Sequence, residues 1–177
     1  MPIIIETERL VIREITPDDA PFVLELLNTP KFIKYIADRG VRTIEDALRY
    51  IDERFSSGYV ANGYGLYAVE LKGEGQVVGT CGFVRRDTLP GPDIGFALLP
   101  EFEGKGYGFE SASAVMRYGL GTLGFDRVLA ITSLDNDKSG RLLEKLGFKF
   151  DEIRQLGKEA LKVYVFDGNA ERSEYQL

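Results

Sequence analysis

The stretch Glu103-Gly104-Lys105-Gly106-Tyr107-Gly108 decides how the rest of this sequence is read. It follows an apolar run with strand character, Asp93 to Leu99. It precedes Phe109, Ala112, Val115, Met116, Leu120 and Leu123, which recur at helical spacing. Glycines on alternate residues let the backbone turn its amides toward one point, and a helix start adds unpaired N–H groups and a partial positive charge. Such a loop suits a pyrophosphate. The P-loop pattern needs Lys followed by Ser or Thr, whereas Lys105 is followed by Gly106, and the dinucleotide fingerprint needs a third glycine where Phe109 stands. Both patterns fail on residue identity. A glycine-rich turn without a ligand is the plain alternative.

Upstream of the loop, Glu8 to Glu14 places Leu10 and Ile12 on one face and Arg9, Val11 and Arg13 on the other, as in a half-buried strand. Thr16-Pro17-Asp18-Asp19 opens a helix with a hydroxyl cap, a proline at the first helical position and two acids at the positive end of the dipole. A short second helix carries Phe32, Ile33 and Ile36. A third runs from Thr43 to Phe55 and ends at Ser56-Ser57-Gly58. Strands are expected over 64–71, 77–86 and 93–99, separated by Gly73-Glu74-Gly75 and Leu89-Pro90-Gly91-Pro92. After the loop and its helix come a strand from Arg127 to Ser133, a helix from Asn136 to Leu146 closed by Gly147, strands over 148–154 and 161–166, and a frayed tail from Gly168. This order predicts an α/β (α+β) fold, one domain over 1–177 with its core at about 6–167, and a mixed sheet of about seven strands flanked by helices.

Composition narrows the chemistry. There is no His and one Cys among 177 residues, so the commonest metal ligand, the commonest general base and any intrachain disulfide are all missing, and no metal is expected. Twenty-eight acidic residues against 22 basic ones, a net charge of −6, argue against a nucleic-acid partner and would attract a cationic substrate such as an amine. The longest apolar run near the start, Ile3 to Ile5, is too short for a signal peptide or a spanning helix, so a cytoplasmic protein without a membrane partner is expected.

The loop resembles the acetyl-CoA pyrophosphate loop of the GNAT superfamily, whose pattern is Gln or Arg, two residues, Gly, one residue, Gly or Ala. Glu103, Gly106 and Gly108 stand at those positions, and Glu103 departs from the pattern. The resemblance extends over about residues 6 to 167. Glu6-Thr7-Glu8-Arg9-Leu10 through Arg13, with Thr16 to Ala20, is similar to the opening of RimJ/RimL-like members. Asp93 to Pro100 resembles their strand before the loop. Asn136, Ser139 and Leu143-Glu144-Lys145-Leu146-Gly147-Phe148 resemble the later cofactor-binding helix. The resemblance implies a largely antiparallel sheet with helices on both faces, splayed between the strands at Asp93 to Leu99 and Arg127 to Ser133.

It also implies an acetyl-CoA-dependent N-acetyltransferase acting by direct transfer in a ternary complex. Backbone groups of Ala97, Leu98 and Leu99 would bind the pantetheine amides. Glu103, Gly104, Lys105, Gly106, Tyr107 and Gly108 would hold the pyrophosphate, and Asn136, Ser139 and Leu143 would face the arm. An amine must lose a proton before attack, an oxyanion needs donors, and the leaving thiolate benefits from a proton. Strand amides near Leu98 or Leu99 suit the oxyanion. Many members carry a tyrosine for the thiolate where Leu143 stands here, so Ser139, three residues after Asn136, is the candidate donor, with an ordinary first-turn serine as its alternative. Asp93 is the candidate base, with Glu8 and Glu70 as alternatives and water or a solvated strand-end acid as the plain reading. Cys81 reads as a buried strand thiol, not a nucleophile. The implied acceptor is a protein N-terminus, a peptide or a small amine, chosen by the segment from Phe32 to Tyr64, and the assembly a monomer or homodimer. A non-catalytic acyl-CoA-binding module, or a purely structural protein of this fold, remains the alternative.

Overall fold

A computed structural model describes residues 2–169. Eight strands form one sheet: β1 (Ile3–Glu6), β2 (Leu10–Arg13), β3 (Leu66–Leu71), β4 (Val77–Val84), β5 (Asp93–Leu98), β6 (Arg127–Ser133), β7 (Lys149–Leu156) and β8 (Glu159–Asp167). Their order is β1-β2-β3-β4-β5-β6-β8-β7. Every neighbouring pair is antiparallel except β5 and β6. The sequence supplies seven of these strands; the eighth, β1, comes from the Ile3 to Ile5 run, which lacks alternation and is fixed by pairing with β2.

Helices cover both faces. α1 (Ala20–Leu27), α2 (Pro30–Tyr35) and α3 (Ile44–Tyr50) precede the central strands; α5 (Tyr107–Gly121) and α6 (Asp137–Lys145) follow them. Between α3 and α5, a π-helical turn at Ile51–Ser56 leads into α4 (Ser57–Asn62). The Ser56-Ser57-Gly58 stop expected from the sequence therefore does not operate. The helix instead ends at Gly63, whose φ of 75° is the left-handed cap that glycine provides. Alternation along β3 assigns the two layers. Tyr67 and Val69 join Leu10, Ile12, Cys81 and Phe83 against Ala112 and Val115 of α5. Ala68, between them, joins Val23 of α1, Ala47 of α3 and Phe55 on the opposite side.

The second layer also buries a charge network that a half-exposed strand would not contain. Arg13 is 5% exposed. It donates from Nη1 and Nη2 to the two oxygens of Asp19, both at 2.9 Å, and from Nε to Glu70 at 2.7 Å. Asp19 also accepts the Thr16 N–H at 2.8 Å, closing the Pro17–Asp19 turn that starts α1. The polar face of β2 is thus covered by the helix that follows it. Among the described residues, no helix is long and apolar enough to cross a membrane.

Candidate active site

β5 and β6 run parallel, yet their register holds only at Asp93 opposite Leu129, supported by the Leu129 N–H donating to the Pro92 carbonyl at 2.9 Å. From there to Leu98 and Ser133 the two strands diverge, and their carboxyl ends lead into the glycine loop on one side and α6 on the other. A gap outside the carboxyl ends of adjacent parallel strands is where an open α/β sheet binds ligands.

The direction of the free backbone groups follows from the β4–β5 register. The Leu99 N–H donates to the Val78 carbonyl at 2.9 Å, and the Leu99 carbonyl accepts from Phe102 at 3.0 Å, so neither group of Leu99 is available. In an antiparallel ladder bonded pairs recur every second residue, which commits Ala97 to Thr80 and Gly95 to Gly82. A Cβ built on Gly79 would lie 2.3 Å from the Ala97 carbonyl, which confirms that this oxygen faces β4. Of Ala97, Leu98 and Leu99, then, only Leu98 turns its amide and carbonyl into the gap, and Phe96 does the same two residues earlier. Sequence alone could not choose among them, because the choice depends on the register and bonding phase of β4 against β5.

After a single 3-10 turn at Pro100–Phe102, the chain reverses through Gly104 (φ 74°) and Gly106 (φ 86°) into α5. The first amide to enter the helix ladder is that of Glu110, donating to the Gly106 carbonyl at 3.0 Å. The amides of Tyr107, Gly108 and Phe109 have no intrahelical acceptor, and Gly106 brings no side chain to cap them. Gly108 sits between Leu98 and Leu142, within 3.7 Å of both for an added Cβ. Across the gap, Asn136 caps α6, its Oδ1 accepting the Ser139 N–H at 3.3 Å. The Ser139 hydroxyl, half-buried in that first turn, has no hydrogen-bond partner among the described residues.

This geometry has relatives. Residues 9–149 match the family described as acetyltransferase (GNAT) domain. The uncharacterized N-acetyltransferase YoaA of Bacillus subtilis (strain 168) is 31% identical over 151 residues, 85% of each chain. The crystal structure of an acetyltransferase (GNAT family) from Bacillus anthracis superposes with a TM-score of 0.78 at 27% identity, over 93% of this chain and 98% of that one. RimL, the ribosomal L7/L12 α-N-protein acetyltransferase in complex with coenzyme A, shares the fold at a TM-score of 0.79 and 15% identity, over 96% and 99%. The chain belongs to the GNAT acetyltransferase family. As a GNAT protein it is an acetyl-CoA-dependent acyltransferase. The glycine loop with unfilled helix amides, beside a gap offering strand amides, fits that donor.

Leu143, expected to face the arm, lies in the core of the structure. It is 1% exposed and packs in the core with Val128, Phe148 and Tyr164, because α6 turns its i, i+3 and i+4 stripe toward the sheet. Leu142 lies on the loop side instead. Asp93 is also 1% exposed, at the closed end of the gap, where Arg86 Nε approaches its two oxygens at 3.1 and 3.3 Å. Burial pushes its carboxyl up to about 6, against the opposing pull of Arg86. Glu70, on β3, is bound to Arg13 of β2, with β4 between it and β5, and Glu8 is exposed at the β1–β2 turn. The Cys81 thiol is fully buried and raised to about 12 by that burial, so it carries no thiolate near neutrality.

Contacts of five residues around the loop, Thr7, Arg9, Lys31, Glu110 and Lys138, were not evident from the sequence. Arg9 donates from Nη1 to the Lys105 carbonyl at 2.9 Å, lies 4.5 Å from the Tyr107 ring centre and binds Glu110 through Nε at 2.7 Å. Thr7 donates to the same carboxylate at 2.6 Å. Burial raises the Glu110 carboxyl, but the hydrogen bonds from Thr7 and Arg9 outweigh it and leave the group lowered. This explains the Glu6 to Leu10 segment: it grips the first turn of α5. Lys31 on α2 and Lys138 on α6 both reach Glu103. Beyond Ser133, a cavity of about 440 Å³ lies between the end of α2 and the β7–β8 turn, lined among others by Ile33, Tyr35, Ile36, Ser133 and Leu161.

Proposed function

We propose that this protein transfers the acetyl group of acetyl-CoA to a primary amine by direct transfer in a ternary complex, as a RimJ/RimL-like member of its family. The observation that carries this reading is the divergence of β5 from β6 beyond Asp93 and Leu129, with unpaired strand groups, the glycine loop and the Asn136 cap all at its open end. In this reading the amides of Tyr107, Gly108 and Phe109 take the pyrophosphate, and backbone groups of Phe96 and Leu98 bind the arm and offer the oxyanion donor. An arm held at Gly104 to Gly108 and running back along β5 heads toward Asp93, five residues from Leu98 or about 17 Å at strand rise.

Asn136 orients α6 so that the unpartnered Ser139 hydroxyl can donate to the leaving thiolate. A serine hydroxyl is a weak acid, so its role is hydrogen bonding to the sulfur. Asp93 is the carboxylate at the reacting end. It is ionised at neutral pH, and it receives the amine's proton through water because it is buried behind Arg86. The amine, from a protein N-terminus or a small molecule, enters through the cavity beside Ser133. Its lining mixes apolar side chains such as Ile33, Ile36 and Leu161 with Lys34, Asp38 and Glu159, and Asp38 is already paired with Arg42, so it offers room for an acceptor without selecting its charge. The likeness of the Glu6 to Arg13 opening, whose Thr7 and Arg9 hold Glu110, to RimJ/RimL-like members supports the branch assignment.

Calorimetry of acetyl-CoA binding to the intact protein and to Gly106→Trp tests the loop. Because Gly106 has a positive φ that tryptophan resists, Gly108→Val is the companion variant; its backbone is unstrained and its side chain projects between Leu98 and Leu142. Saturable binding lost in both variants supports the site, and an amine screen by thiol release then tests transfer. A second reading, an acyl-CoA-binding module without catalysis, is favoured by one observation: α6 presents a buried Leu143 where a tyrosine would serve. It predicts binding without acetyl consumption on any amine.

A further inference from the structure

Glu103 stands where the loop pattern has Gln or Arg, and a carboxylate beside a phosphate site is electrostatically unfavourable. The structure supplies a compensation from two distant elements. The Lys31 ammonium, at the start of α2, lies 2.5 Å from Oε2 of Glu103, and the Lys138 ammonium, in the first turn of α6, lies 3.3 Å from the same oxygen. Burial raises the Glu103 carboxyl, but hydrogen bonds from Lys31 and Lys138 outweigh it and hold the group lowered and ionised. Two cations on one anion leave an excess positive charge beside the unfilled amides of α5. Both lysines are more than half exposed, 55% and 64%, and long enough to turn from the carboxylate to an arriving phosphate, whereas Glu103 itself is 22% exposed and fixed on the loop.

We propose that Lys31 and Lys138, gathered by Glu103 across the mouth of the β5–β6 gap, form a two-lysine clamp for the phosphate groups of the acyl donor. The inference rests on the reading of the loop as the acetyl-CoA site and adds to it two ligands contributed by α2 and α6. Glu103 is the placeholder anion that keeps the ammonium groups at the loop before the donor binds. The clamp also joins the donor site to α2, whose other end borders the cavity beside Ser133.

The test is calorimetric titration of acetyl-CoA and of dephospho-CoA, which lacks the 3′-phosphate, at several salt concentrations. The proteins are the intact chain, Lys31→Met, Lys138→Met, the double variant and Glu103→Gln, each checked for an unchanged thermal midpoint. Each lysine variant should weaken acetyl-CoA binding about 3- to 5-fold and the double variant about 10-fold or more, as expected for partly exposed charge pairs, with a shallower salt dependence. Glu103→Gln should tighten binding about 3-fold by removing the competing anion. Losses that persist with dephospho-CoA place the clamp on the pyrophosphate, and losses that vanish place it on the 3′-phosphate. Unchanged affinity in both lysine variants, with the intact chain binding, refutes the clamp and leaves the loop assignment intact. Failure of the intact chain to bind acetyl-CoA instead overturns the reading on which the clamp rests.

Discussion

Arg9, one residue before β2, and Glu110, in the first turn of α5, meet Nε to Oε1 at 2.7 Å, although 101 positions separate them. The same guanidinium holds the Lys105 carbonyl, so the pair couples the start of the sheet to the loop between Gly104 and Gly106. Arg9→Ala and Glu110→Ala should therefore each raise the KM for acetyl-CoA, by about 3- to 10-fold, with kcat nearly unchanged. The double variant should lose less than the sum of the two singles, because both remove the shared Arg9–Glu110 pair, while each also removes a contact of its own, Arg9 with Lys105 and Glu110 with Thr7. Steady-state kinetics with the amine held saturating checks this. A fall in kcat without a change in KM would place Arg9 elsewhere in the reaction.

Asp93 predicts a pH dependence of stability with a definite sign. Its folded carboxyl titrates at about 6, above the ordinary value of about 4, so between those pH values the folded chain holds more protons than the unfolded one. The contribution of this group to stability is greatest below about pH 4 and is lost as pH rises through 6, with a total of about 3 kcal/mol for a gap of some two pH units. Asp93→Asn abolishes that term. The difference in urea midpoint between wild type and variant should widen in the variant's favour from pH 4 to 7.5. In kinetics, a limb near pH 6 present in wild type and absent from the variant supports Asp93 as the proton acceptor; superimposable profiles remove it from that role.

Much of the fold was readable because strands and helices here obey their periods. Leu10 and Ile12 alternate into the core, α5 carries Ala112 and Val115 at helical spacing, and Gly104 and Gly106 of the loop stand where the backbone takes positive φ. What failed was information held in register and distant contacts. β1 is a four-residue edge strand visible only through its pairing with Arg13, Ile12 and Val11. Leu142 and Leu143 are chemically identical, and only the docking angle of α6 buries one and turns the other toward Gly108. Lys31 and Lys138 lie 72 and 35 residues from Glu103, and no local pattern announces that three such charges meet.

The Arg13–Asp19 pair tests stability apart from catalysis. Both side chains are under 8% exposed, and Asp19 is bidentate. Asp19→Ala leaves the Arg13 guanidinium buried with Glu70 as its remaining carboxylate and also frees the Thr16 N–H. Removing one partner of a buried pair costs about 3–5 kcal/mol. The retained Glu70 contact places this variant at the lower end, about 3 kcal/mol by chemical denaturation. Acetyl-CoA affinity should be unchanged in whatever fraction folds, because the network sits on β2 and β3, away from the gap.

Gly140 and Tyr164 give the sharpest test of how α6 is seated. A Cβ at Gly140 would lie 2.6 Å from the Tyr164 hydroxyl and 3.5 Å from its Cζ, so α6 approaches β8 at a distance only glycine allows. In an isolated helix Gly→Ala is favourable by about 1 kcal/mol. Here the overlap should reverse the sign, and Gly140→Ala should lose about 1–3 kcal/mol through displacement of the helix or the ring. The Tyr164 hydroxyl has no hydrogen-bond partner among the described residues, so Tyr164→Phe alone should be nearly neutral. Combined with Gly140→Ala, it should restore stability to wild type or better, since only the 3.5 Å ring contact remains. Because Ser139 and the Asn136 cap ride on the same turn, Gly140→Ala should also lower kcat, and the double variant should recover it. Rescue of stability without rescue of turnover would separate the seating of α6 from the placement of the Ser139 hydroxyl.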